Sequence, residues 1–134
     1  MSIRVLIADD HRLFAEALEA ILDTELELEV VGRASDGQEA IELARALEPD
    51  VVLLDISMPI LDGFQAAAAI AKLPHRPAVL MLTGSNSAQD VDKARRAGVN
   101  GYVTKDGITG RLVDAIREAA GTRLIPAAAT LFGQ

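Results

Sequence analysis

The feature that most constrains this chain is Val51-Val52-Leu53-Leu54-Asp55, a run apolar at every position up to its last. A strand with one wet face alternates apolar and polar residues. Consecutive apolar residues need both faces covered, as in a parallel sheet with helices above and below. Ala78 to Thr83 has the same character, Ile3 to Ala8 is short and rich in β-branched residues, and Leu28 to Gly32 and Gly101 to Thr104 complete the set of strands. Between them the period turns helical. From His11 to Asp23, Leu13, Phe14, Ala17, Leu18, Ile21 and Leu22 fall on one stripe. Asp36 with Glu39 three positions on has capping-box spacing, opening a helix that carries Ala40, Ile41, Ala44 and Leu47 inward and stops before Pro49. Met58-Pro59 ends the central strand, and Asp62-Gly63 makes a turn before an Ala-rich helix from about Phe64 to Leu73. Ser87 and Asp90 offer a capping pair for a helix ending near Gly98, and a last amphipathic helix runs from about Thr109 to Ala120.

Strand and helix therefore alternate five times, which predicts a parallel sheet with right-handed crossovers. The expected fold class is α/β: a doubly wound, five-stranded, flavodoxin-like (βα)5 sheet with strand order 2-1-3-4-5. An eight-stranded barrel would need roughly 250 residues, against 134 here. Residues 1–120 read as one domain, and 121–134, which leave the alternation, as the start of an interdomain linker or a C-terminal tail. Only 3% of residues are aromatic, so the core must be built from Ala, Val, Leu and Ile. The absence of Cys excludes disulfides, thiolate nucleophiles and Cys-type zinc sites. Thirteen basic against twenty acidic residues give a charge of −7, which argues against nucleic-acid contact by this segment and suits a cation site or a basic partner. With no apolar run of membrane-span length and no signal-peptide h-region, the chain reads as soluble and cytoplasmic.

In open α/β sheets chemistry gathers at the carboxyl ends of the strands. The first strand ends in Asp9-Asp10, the third in Asp55, the fourth in Thr83, and the fifth runs through Thr104 into Lys105. Two carboxylates about 4 Å apart at an effective dielectric near 20 repel by roughly 4 kcal/mol. Three of them must take up protons or recruit a cation. Lys105 can neutralise one charge, and Mg²⁺, a hard ion that prefers oxygen ligands, suits the rest. With no His or Cys at the strand ends, zinc is a poor fit. A carboxylate beside Mg²⁺ and a Lys can attack phosphorus and form an aspartyl phosphate. Asp55, single and on the central strand, is the candidate nucleophile. The Asp9-Asp10 pair suits metal ligation, Asp9 through a water, with the backbone carbonyl of Ser57 as a further ligand. Thr83 and the amide of Gly84 can contact the phosphoryl group, Gly84 having no side chain in the way.

Taken jointly, Asp9-Asp10, Asp55 with Met58-Pro59 and Asp62-Gly63, Thr83-Gly84 and Lys105 resemble the receiver domain of bacterial response regulators. The gaps of 45, 28 and 22 residues between Asp10, Asp55, Thr83 and Lys105 match the family layout. Asp9-Asp10-His11, Asp36-Gly37-Gln38-Glu39-Ala40 and Lys105-Asp106 look most like the NarL/FixJ branch. The resemblance, over roughly Ile3 to Ala120, implies phosphotransfer from a sensor histidine kinase to Asp55 with Mg²⁺, and at most slow autodephosphorylation: a signalling domain and not an enzyme. It implies that Thr83 and Tyr102 form a switch, and that the surface so changed controls an output, a transcription-regulating DNA-binding domain beyond this chain. Phosphorylation is expected to favour a homodimer. The alternatives are a stand-alone receiver and a phosphate-independent protein-interaction module. An aspartyl phosphohydrolase would want an acid two residues after its nucleophile, where Ser57 stands. A flavodoxin-type redox carrier is disfavoured by the low aromatic content. Single residues have plainer readings. His11 reads as a first-turn residue at the rim of the site, Met58 as packing, His75 as loop, and Arg95-Arg96, Arg111 and Arg117 as solvated helix faces.

Overall fold

The computed structural model describes residues 2–84, 88–105 and 110–122. In chain order the elements are β1 (Ile3–Ala8), α1 (Arg12–Asp23), β2 (Leu28–Ala34), α2 (Gly37–Leu47), β3 (Val51–Asp55), α3 (Gly63–Ile70), β4 (Ala78–Thr83), α4 (Ala88–Arg96), β5 (Gly101–Thr104) and α5 (Gly110–Thr122). The five strands form one sheet in the order β2-β1-β3-β4-β5, and every pairing is parallel. This is the doubly wound topology expected from the alternation. No helix among the described residues is long and apolar enough to cross a membrane.

The central strand explains itself in the packing. Val52 and Leu54 join Leu6, Val79 and Met81 against α2 and α3. Val51 and Leu53 point the other way, joining Val5, Ile7, Leu80 and Leu82 against α1 and α5. A continuous apolar run is thus two interleaved half-patterns, one for each helical layer. Met58 is buried in the first layer, as a packing residue should be.

Three local expectations are revised. β2 runs two residues beyond Gly32, to Ala34, which is buried and pairs with Ala8. In α1 the buried positions are Ala15, Leu18 and Leu22, whereas Leu13 is 81% exposed and Ala17 also faces solvent. The true stripe is narrower than an apolar count suggests, and it admits Ala15 because a small side chain lets the helix approach the sheet. At α2 the Asp36 carboxylate accepts the Glu39 N–H at 2.8 Å, but Glu39 bonds the backbone N–H of Ser35, not that of Asp36. The reciprocal box forms instead at α3: Asp62 accepts from Gln65 N–H while Gln65 accepts from Asp62 N–H. The predicted Ser87 cap, Asp106 and the 123–134 tail lie outside the described residues.

Candidate functional site

The buried polar side chains among the described residues are Asp9, Asp55 and Thr83, only 3–4% exposed. All three belong to the carboxyl edge of the sheet. Parallel strands bring them together: β1 and β4 flank β3, and Asp55 pairs in register with Leu82, one residue before Thr83. Lys105 follows β5 and reaches across this edge, with Nζ 2.9 Å from Asp9 Oδ2 and 3.4 Å from Asp55 Oδ1. Its ammonium lies 4.5 Å from the centroid of the Phe14 ring, an aromatic floor that helps hold the long side chain over the acids. Lys105 therefore lies within ion-pair distance of two carboxylates while offsetting a single unit of charge.

The acids remain under-compensated. Among the described residues, Asp55 Oδ2 is buried with no hydrogen-bond partner, and Asp9 Oδ2, although close to the ammonium, accepts no aligned hydrogen bond. Burial foremost, then the charge on Asp9, pushes the Asp55 carboxyl up to about 6, against the opposing pull of Lys105 and the Ser57 N–H. Asp10 is the exposed member of the trio and lines an open cleft of about 530 Å³ with Ser57, Asp62, Phe64 and Lys93.

His11 is the residue that the sequence undervalues. It stands at the mouth, with 63% of its side chain exposed, but its Nδ1 reaches 3.0 Å from Asp9, 3.5 Å from Asp10 and 3.7 Å from Asp55. One donor atom from each of these four residues fits within a span of 4.8 Å. Such a donor set, with an orphaned buried oxygen inside it, fits a divalent cation.

The remaining predicted residues fall at the same edge. Gly84 follows Thr83 and is exposed. A Cβ there would meet nothing within 4 Å among the described residues. Tyr102 is half-buried against the α2–α3 layer and pairs with Met81 two residues before Thr83 pairs with Thr104, so Tyr102 and Thr83 share a sheet face. Two glycines noted in the sequence prove to be held by close backbone contacts. A Cβ at Gly63 would lie 2.2 Å from the Asp55 carbonyl oxygen, and one at Gly37 would lie 2.1 Å from that of Leu61. The Asp62-Gly63 pair was legible as a turn, and the backbone contact behind it was not. His75, read as loop, ties two loops together through Nε2, 3.0 Å from the Pro49 carbonyl. Arg117 is more than a solvated face: it pairs with Asp114 on its own helix and with Glu25 and Glu27 before β2.

The family model for the response regulator receiver domain matches residues 5–117. The chain belongs to that family. It is 37% identical over 120 residues to the response regulator protein VraR of Staphylococcus aureus, covering 90% of this chain and 57% of the relative. It is 39% identical over 116 residues to the uncharacterized transcriptional regulatory protein YvfU of Bacillus subtilis, covering 87% and 58%. The chain thus spans a little over half the length of these curated relatives. Among solved structures, the receiver domain of the putative response regulator NarL from Mycobacterium tuberculosis superposes with a TM-score of 0.84 at 38% identity, covering 90% of this chain and 97% of that one. The response regulator domain of Thermotoga maritima CheB gives 0.84 at 32%, covering 90% and 98%. The protein is thus a two-component receiver with a NarL receiver domain among its structural neighbours, in keeping with the resemblance carried by its strand-end residues.

Proposed function

We propose that this receiver accepts a phosphoryl group on Asp55 from a sensor histidine kinase, with Mg²⁺ held by Asp10, Asp55 and the Ser57 carbonyl, and by Asp9 through a water. The observation that carries this reading is the buried Asp55 carboxylate, with one oxygen facing Lys105 and the other without a partner. An oxygen so placed is a nucleophile lacking only its counter-cation. Bound Mg²⁺ would supply charge neutralisation for the carboxylates and the phosphoryl oxygens. Lys105 offsets developing charge on the phosphoryl group, and Thr83 and the Gly84 amide donate to it. As Thr83 turns toward the phosphoryl group it leaves room for Tyr102, on the same sheet face, to move inward. A 1:99 equilibrium needs about 5.5 kcal/mol of differential stabilisation to invert, a demand that the new charge and its acceptors are suited to meet.

The domain acts as a phosphoacceptor in the cytoplasm, with at most slow autodephosphorylation, and not as a metabolic enzyme. Residues 1–120 form the receiver and 121–134 begin a linker or tail. The regulatory names and greater length of the relatives support an output domain that binds DNA, a task for which this acidic segment is unsuited, and phosphorylation is expected to favour a homodimer. Acetyl phosphate with Mg²⁺ should label the wild type and leave Asp55→Asn unlabelled, read by intact mass. Equal labelling of both would overturn the assignment. Light scattering with and without beryllofluoride tests the dimer.

A further inference from the structure

We infer that His11 is itself a ligand of the divalent ion, through Nδ1, and that it biases the site toward ions that accept an imidazole nitrogen. The inference rests on the divalent-ion reading of the pocket and concerns which donors and which ions that pocket prefers. His11 is the N-cap of α1, where a side chain ordinarily bonds the first turn of its helix, yet its ring makes no capping hydrogen bond. Its backbone N–H is instead fixed to Asp9 Oδ1 at 2.8 Å, which anchors the residue beside the acids and turns the ring over them.

The spacing suits a coordination shell. Ligands about 2.1 Å from an octahedral ion lie roughly 3 Å apart when adjacent and roughly 4 Å apart when opposite. Nδ1 stands 3.0, 3.5 and 3.7 Å from oxygens of Asp9, Asp10 and Asp55, all inside that range. The Lys105 ammonium stands 3.2 Å from the same nitrogen, so the ring closes the mouth of the pocket between the acids and the lysine. One of those oxygens, Asp55 Oδ2, is buried and has no hydrogen-bond partner among the described residues, which calls for a cation. Carboxylates favour hard ions such as Mg²⁺, whereas an imidazole adds most for later transition ions.

Calorimetric titration of MgCl2 and CoCl2 into wild type, His11→Ala, His11→Asn and Asp10→Asn, at one fixed pH, tests this. His11→Asn keeps a short polar group near Asp9 without the ring nitrogen. Both His11 variants should lose Co²⁺ affinity about tenfold or more while Mg²⁺ affinity changes less than about threefold. Pulsed EPR of the Mn²⁺-loaded wild type should show nitrogen coupling that responds to ¹⁵N-histidine labelling and vanishes in His11→Ala. Unchanged Co²⁺ affinity would make His11 a rim residue. A gain for both ions would make its ring a stand-in that the metal displaces. Either result overturns the inference. Asp10→Asn separates the two levels of argument: if it leaves binding of both ions intact, the pocket reading itself falls, whatever His11 does.

Discussion

The two ends of the same sheet are built on opposite principles. At the amino end, polar groups are drawn into pairs. Arg4 donates through its guanidinium to the Leu47 and Glu48 carbonyls that close α2, and its backbone N–H bonds the Asp50 carboxylate at 2.9 Å. Asn100 Oδ1 accepts the Val79 N–H, and His75 meets the Pro49 carbonyl. At the carboxyl end, five strand-end positions instead concentrate acids, a lone ammonium and buried oxygens without hydrogen bonds. Positive φ occurs at both ends, at Glu48 and Arg76 before β3 and β4 and at Ile60 after β3, where φ of +72° belongs to a tight turn closed by Leu61 N–H on the Pro59 carbonyl at 2.8 Å, a conformation that is costly for a β-branched residue. The amino end secures the fold, and the carboxyl end draws on that stability to hold charges that would otherwise separate.

The contrast can be broken or sharpened by substitution. The largest effect is expected from Gly63→Ala, because the added methyl meets the backbone of Asp55 and Ile56 and not a yielding side chain. A loss of about 3–4 kcal/mol in urea unfolding is expected, and a loss below about 1 kcal/mol would show that the loop yields readily.

Next is Asp55→Asn without metal. Because the folded-state carboxyl titrates near 6 instead of 3.8, the folded protein binds more protons than the unfolded chain between those values, and wild-type stability falls as pH rises through 6. At pH 7.5 the Asn variant should therefore be more stable by about 2–3 kcal/mol. The gap should close toward pH 4, and saturating Mg²⁺ should narrow it from the high-pH side. Thermal melts across pH check the sign. A variant less stable than wild type at pH 7.5 would mean that the site is already compensated.

At the opposite end Asp50→Ala should cost about 1–2 kcal/mol by leaving the Arg4 N–H unpaired, with no dependence on Mg²⁺. Any coupling to metal would erase the division of labour between the two edges. Smallest is Ile60→Gly, expected to stabilise by about 1 kcal/mol, since the side chain is 76% exposed and glycine adopts positive φ freely.

Much of this was legible in the sequence because it depends on period and on strand ends. The run at 51–55 dictated coverage on both sheet faces, and the topology rules then carried Asp9, Asp10, Asp55, Thr83 and Lys105 to one edge. What escaped depends on distance. That Leu13 faces out and Ala15 in follows from how closely α1 approaches the sheet, which a hydrophobic stripe does not encode. Whether Glu39 turns back to Asp36 or on to Ser35 is decided within one turn of chain. His11 looked peripheral because the strand-end rule ranks residues by sequence position, whereas a ring one residue past the acids can fold back over them.

The contact at Gly37 has a directional consequence. The Leu61 carbonyl occupies the space that a methyl on residue 37 would fill, so the segment after β3 has no clearance toward α2. Its other anchor, the Gly63 N–H on the Ile56 carbonyl at 2.7 Å, ties it back to the end of its own strand. A bulky group attached to Asp55 finds a wall on that flank. The segment after β3 is thus pinned on two sides, to α2 and to the end of its own strand.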